Sequence, residues 1–262
     1  MNILFIGDIV GKPGRQAIFL LISSLIKDYN IDVVIANGEN SAGGFGITPK
    51  IASNLFSYGV DIITTGNHIW KNKEIFKIID TDANIIRPLN YPETVPGRGY
   101  LIFSKSNLPQ ISVINLMGRI NLAYIDCPFQ SVDKLLCKLE TKIIIVDFHS
   151  ETTAEKVAMG WYLDGRVSAV VGTHTHIQTA DERILSKGTG YITDTGMTGV
   201  RDSVIGMDKD KIIKHFLTRM PIKFEVAKGD LQLDGVVLSI DSETGKTLKI
   251  ERVKKFQQVF QK

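Results

Sequence analysis

Short runs that are apolar throughout alternate along this chain with longer stretches whose apolar residues recur every three or four positions. Residues 2–7, NILFIG, contain no charge and end at Gly7, as expected of a strand buried on both faces. Residues 16–30 then set Ile18, Leu21, Ile22, Leu25 and Ile26 at helical spacing. The plan repeats with a strand in DVVIANG (32–38) and a helix in PKIASNLFSYG (49–59), where Thr48 is the expected N-cap, Pro49 the first helical residue and Gly59 the stop. A third unit pairs the strand DIITTG (61–66) with a helix in NKEIFKII (72–79).

A proline-containing connection follows, and YLIFS (100–104) with QISVINL (110–116) reads as an antiparallel pair. SVDKLLCKLE (131–140) and TTAEKVAMGWYLD (152–164) are expected helices around the strand KIIIVDF (142–148), and RVSAVVG (166–172) is the next strand. Short strands are expected at YITD (191–194) and IKFEVAK (222–228), with a helix at 209–216 between them. LQLDGVVLSID and TLKIERV form a hairpin around the turn 241–245. No linker or repeat interrupts the pattern, so one α/β domain covering 1–262 is the economical reading.

Composition narrows the class. A 44% hydrophobic content over 262 residues can fill a real core, and no apolar run approaches the length of a membrane span. Without a signal-peptide pattern, and with Cys127 and Cys137 as the only cysteines, a cytoplasmic location is expected, the two thiols serving as small buried apolar residues. A net charge of +3 favours an anionic substrate but is too mild for a nucleic-acid stripe. Gly11-Lys12 is not a nucleotide P-loop: three residues separate Gly7 from Gly11 where that motif needs four, and Pro13 stands at the Ser/Thr position.

The chemistry lies where the strands stop. Four of the five histidines, His68, His149, His174 and His176, follow apolar runs, and Asp8, Glu39, Asn40 and Asn67 stand at other strand ends. In layered α/β folds such positions face a shared crevice. Two carboxylates, several imidazoles and carboxamides are too many ligands for one open tetrahedral ion, but they suit two ions sharing a bridging carboxylate. Mixed nitrogen and oxygen donors select a transition metal over magnesium or calcium, and ligand type does not rank iron, manganese, zinc and cobalt; iron, or else manganese, is the expected occupant, with zinc or cobalt as alternatives. The Thr195–Arg201 stretch is a candidate substrate-side loop.

The order GDIVGKPGR, ANGENSAGG, TTGNHIW, DFHSETTAEK, GTHTHIQTAD and TDTGMTG resembles the calcineurin-like metallophosphoesterases, and within them the bacterial YmdB-like branch, from the first residues to at least Asp202. The resemblance implies a four-layer α/β/β/α sandwich with mixed β-sheets and a dinuclear metal centre. It also implies phosphodiesterase activity on cyclic nucleotides such as 2′,3′-cAMP. Carried over by position, Asp8 and His176 ligate one metal, Asn67, His149 and His174 the other, and Glu39 bridges them. The D-x-H opening of the wider superfamily becomes Asp8-Ile9-Val10, and Asn40 is expected to fill the place of the lost histidine. The expected reaction is in-line attack on phosphorus by a metal-bridging hydroxide, with His68 as general acid. An RNA-processing nuclease and a regulatory nucleotide- or metal-binding module are the alternatives; a homo-oligomer is compatible with the sequence.

Overall fold

The computed structural model describes residues 1–82 and 84–259. β1 (Asn2–Ile6) and β2 (Asp8–Ile9) lead into α1 (Gly11–Asp28), β3 (Val33–Asn37), α2 (Pro49–Tyr58) and β4 (Ile62–Thr64). Two short 3-10 turns precede β5 (Tyr100–Phe103) and β6 (Ile111–Met117). Then come α3 (Pro128–Leu136), β7 (Ile143–His149), α4 (Thr153–Leu163), β8 (Ala169–Thr173), β9 (Arg183–Ile184), β10 (Gly190–Ile192) and β11 (Met197–Val200). The chain closes with α5 (Lys209–Thr218) and the hairpin β12 (Leu231–Ile240) and β13 (Thr247–Gln257).

These strands form two sheets, one ordered β2-β11-β12-β1-β3-β4 with β13 on β12, the other β5-β6-β7-β8-β10-β9. Apolar strands follow from burial on both faces. In β1, Ile3 and Phe5 pack between the sheets while Leu4 and Ile6 pack against the α1/α2 side. In β7, Ile143 and Ile145 face the other sheet, and Ile144, Val146 and Phe148 meet α3 and α4. The layers are therefore α1/α2, sheet, sheet, α3/α4, the sandwich expected from the motifs. β1, β3 and β4 run parallel, as do β6, β7, β8 and β10, so each sheet presents its strand C-termini at a common edge. Both sheets also carry antiparallel pairs, which makes them mixed. Among the described residues no helix is long and apolar enough to cross a membrane.

Local expectations fare unevenly. Thr48 caps α2 by accepting from the Ile51 N–H, and Gly59 ends it at φ 112°, a cap worth about 1 kcal/mol. α1 begins at Gly11 rather than near Gln16. Pro13 does not prevent this, because the first four N–H groups of a helix have no intrahelical partner, and Gly14 lets the turn approach the Thr198 carbonyl. The run 72–79 is not an α-helix but a 3-10 turn over Lys73–Lys77 capped by Asn72, with Ile75 and Ile79 buried. IKFEVAK is not a strand and contributes a single bridge, Val226 to Met207. Cys127 is half-buried and Cys137 exposed, so neither is a core residue.

Candidate active site

Each expected ligand stands at or just beyond a strand end. Asp8 opens β2, pairs in parallel with Met197 and donates its N–H to the Gly196 carbonyl at 3.1 Å. Beyond β3 the chain turns sharply: Asn37 Oδ1 accepts the Glu39 N–H at 3.1 Å and the Ser41 hydroxyl donates to the Gly38 carbonyl at 2.7 Å. The turn after β4 carries Asn67 and His68, whose N–H donates to Glu39 Oε2 at 3.2 Å. His149 is the last residue of β7, and His174 and His176 follow β8 at φ 98° and 66°. All eight expected site residues thus converge on one edge of the sandwich. Asp8, Glu39, Asn40, His149 and His176 are buried, and Asn67, His68 and His174 half-buried.

The hydrogen bonds outside this cluster determine which ring nitrogens face into it. Thr173 donates its hydroxyl to Asp147 Oδ1 at 2.7 Å, so its oxygen accepts from His149 Nδ1 at 2.9 Å and the His149 Nε2 lone pair points inward. His174 Nε2 donates to Glu151 Oε2 at 2.9 Å, which leaves Nδ1 as its inward lone pair. His176 Nδ1 donates to the Ile205 carbonyl at 2.9 Å, leaving Nε2 inward. As a result His149 Nε2 lies 3.0 Å from His174 Nδ1, 3.0 Å from Asn67 Oδ1 and 3.2 Å from Glu39 Oε1. Four electron-pair donors converge where only a cation between them removes their repulsion. Ligand atoms of Glu39, His149 and His174 all fall within 4.8 Å of one another.

A second set lies across Glu39. Among the described residues the buried Asp8 Oδ1 has no hydrogen-bond partner, and it lies 3.9 Å from His176 Nε2. Asn40 Nδ2 bridges Glu39 Oε1 at 3.0 Å and His176 Nε2 at 3.1 Å, while its Oδ1 accepts from His68 Nδ1 at 2.8 Å. The electrostatics select positive charge. Burial opposes a charged His149, yet Glu39 and then Asp8 raise its pKa to about 9. Burial and the His149 charge push His174 down to about 3. Burial works against an ionised Glu39 as well, but His149 and then His68 hold its carboxyl well below the usual range. The donor set, an orphaned carboxylate oxygen included, fits transition-metal ions.

Several supporting groups escape sequence reading. Asp147 lies under the cluster, accepting from Thr173 and, across the two sheets, from Asn37 Nδ2 at 3.1 Å; burial lifts its carboxyl to about 6 against the pull of His149. The carboxylate interrupting IIIVDFH is the one signal that could have marked it. The Thr195–Arg201 stretch is not a substrate-side loop: Met197–Val200 is the buried strand β11 that pairs with Asp8, and the Arg201 guanidinium lies over Phe256 at 4.4 Å. The substrate side is formed elsewhere. A cavity of about 440 Å³ opens over the cluster, lined by Glu39, Asn40, His68, Glu151, His174 and His176 and by the apolar side chains of Phe45, Ile205, Met207, Ile212, Phe216 and Phe224.

Known proteins match this chain over nearly its whole length. A Bacillus subtilis (strain 168) protein named 2′,3′-cyclic-nucleotide 2′-phosphodiesterase is 52% identical over 255 residues, covering 97% of this chain and 96% of its own. A crystal structure of a hypothetical protein from Thermus thermophilus superposes with a TM-score of 0.93 at 38% identity, over 98% of this chain and 100% of its own. That of a novel phosphatase from Mycoplasma pneumoniae gives 0.93 at 36% identity, over 98% and 94%. The model of the family described as YmdB-like protein matches residues 4–253, and the chain belongs to that family.

Proposed function

We propose that the protein is a dinuclear metal-dependent phosphodiesterase acting on cyclic nucleotides, 2′,3′-cyclic mononucleotides foremost. The observation that carries this reading is the convergence of inward lone pairs from His149, His174 and Asn67 on the Glu39 carboxylate, beside the unpartnered oxygen of Asp8. Asn67, His149 and His174 would hold one ion, Asp8, His176 and Asn40 the other, and Glu39 both. Two such ions, bound there, supply Lewis acidity toward phosphate oxygens and make water acidic enough to attack near neutral pH.

The protein's own groups do the rest. His174 and His176 line the polar side of the cavity where a phosphate would enter, and Phe45, Phe216 and Phe224 offer aromatic surface to a base. Exchanging the two ends of the Asn40 amide keeps every heavy-atom position but presents oxygen to a metal and the amide N–H to His68 Nδ1. His68 then carries its proton on Nε2, where a leaving alkoxide can take it. The name of the B. subtilis relative supports the substrate class.

Elemental analysis of the purified protein, paired with hydrolysis of 2′,3′-cAMP and bis-p-nitrophenyl phosphate before and after chelation, tests the reading. The expected result is about two equivalents of transition metal, with activity lost on chelation and regained on metal return. Less than one equivalent and no activity with iron, manganese, zinc or cobalt restored would overturn it. For His68→Ala, metal content should stay at the wild-type value while turnover of 2′,3′-cAMP falls roughly 100- to 10,000-fold, the usual worth of a general acid. The loss on bis-p-nitrophenyl phosphate should be much smaller, since its leaving group departs without a proton. Equal losses on both substrates would remove His68 from that role.

A further inference from the structure

His174 and His176 present their nitrogens from a backbone that L-residues rarely adopt, at φ 98° and 66°, and such strain persists only where the surroundings enforce it. We propose that the buried Lys156–Asp194 pair is a positioning pair that holds this segment in its ligand-presenting conformation; the proposal rests on the metal reading above. Neither residue takes part in the chemistry described so far. Asp194 is 0% and Lys156 1% exposed. Asp194 Oδ2 accepts from the Thr175 N–H at 3.0 Å, from the Thr175 hydroxyl at 2.7 Å and from Lys156 Nζ at 2.7 Å. Its Oδ1 accepts the Gly196 N–H at 2.8 Å.

Thr175 is the residue between the two histidines, so one carboxylate grips the middle of the strained segment through both its backbone and its side chain. The grip is anchored on both sides. Lys156 comes from α4, and the neighbouring Thr195 N–H donates to the Gly172 carbonyl at 2.8 Å, tying the connection between β10 and β11, where Asp194 lies, to the end of β8. Gly196, the other group on Asp194, accepts the Asp8 N–H. The same carboxylate therefore touches the backbone that sets three of the ligands: His174, His176 and Asp8. A buried ion pair is weak as a stabiliser of a fold, since apolar residues of equal volume often do better. A carboxylate with four donors is, in contrast, well suited to specify one backbone path, and Lys156 places its ammonium against it where no solvent reaches.

The test uses full-length metal-free protein carrying Lys156→Met, which keeps the stem and removes the charge. Mn²⁺ affinity is read by electron paramagnetic resonance titration, and ligand geometry by the visible absorption of the Co²⁺ form. The expected result is a folded variant whose Mn²⁺ affinity falls about 10- to 100-fold, as for loss of an outer-shell partner, with an altered Co²⁺ spectrum. A purely structural pair would lower the melting temperature and leave both readouts alone; that result overturns the proposal. Thr175→Val serves where Lys156→Met does not fold: it keeps the ion pair, loses only the hydroxyl bond, and should weaken Mn²⁺ roughly 2- to 10-fold. Unchanged affinity there overturns the proposal as well. Failure of wild-type protein to bind either ion would instead refute the metal reading, and the positioning role with it.

Discussion

Glu39→Gln should abolish both metal binding and diester cleavage while leaving a folded protein. The side chain is fully buried, and Oε1 lies 3.2 Å from His149 Nε2 and 3.4 Å from His68 Nδ1. Gln keeps the shape, and its oxygen can still accept the His68 N–H, so packing changes little. The charge is what disappears. Glu39 is the first charged cause of the upward shift of His149, and without it the site's preference for positive charge collapses. Truncating one partner of a buried charge pair at a binding site costs roughly 2–5 kcal/mol, or roughly 30- to 5,000-fold in affinity. On the proposed reading Glu39 serves both donor sets, so both ions should be lost together. Titration with Mn²⁺ and a circular dichroism melt distinguish the outcomes: a variant that retains two equivalents at wild-type affinity would exclude Glu39 as the bridge.

The frame of this site was legible because strand ends can be read locally. A run such as IIIVDFH must be buried on both faces, and the next polar residue is therefore at the edge. That logic placed the eight expected site residues at or just beyond strand ends, and the structure brings them together. What escaped depends on partners remote in sequence. β11 is four residues long, contains a glycine, and exists because β2 and β12 lie on either side of it. α1 starts five residues before its apolar spacing does, and Pro13 sits where a helix tolerates it. Lys156 belongs to a helix whose spacing gave no reason to bury a charge; only the fold shows Asp194 opposite its Nζ. The aromatic wall of the cavity is assembled from Phe45 in one loop, Phe216 on α5 and Phe224 beyond it, and no local pattern links them.

Gly66 offers a test of how tightly the cluster is built, because the expected effect on function exceeds the effect on folding. A Cβ added there would lie against Glu39 Oε2 and against Cδ2 and Nε2 of His149, well inside the 3.0 Å that real Cβ atoms do not cross. Neither neighbour can retreat: both are fully buried, and His149 is held through Nδ1 by Thr173. Overpacking of this kind costs about 1–3 kcal/mol, a fall of roughly 2–12 °C in melting temperature for a chain of this size. Displacing a ligand by even an ångström, however, can reduce turnover about 100-fold. Gly66→Ala should therefore melt cooperatively, bind Mn²⁺ poorly and lose most of its phosphodiesterase activity. Gly43→Ala is the matched control, since nothing lies within 4 Å of its Cβ and only its φ of 68° is unfavourable. It should lose about 1 kcal/mol of stability and keep its metal. If the two variants bind metal equally well, the donors are not packed as closely as their contacts imply, and the lone-pair convergence on Glu39 would lose its force as the argument for a metal centre.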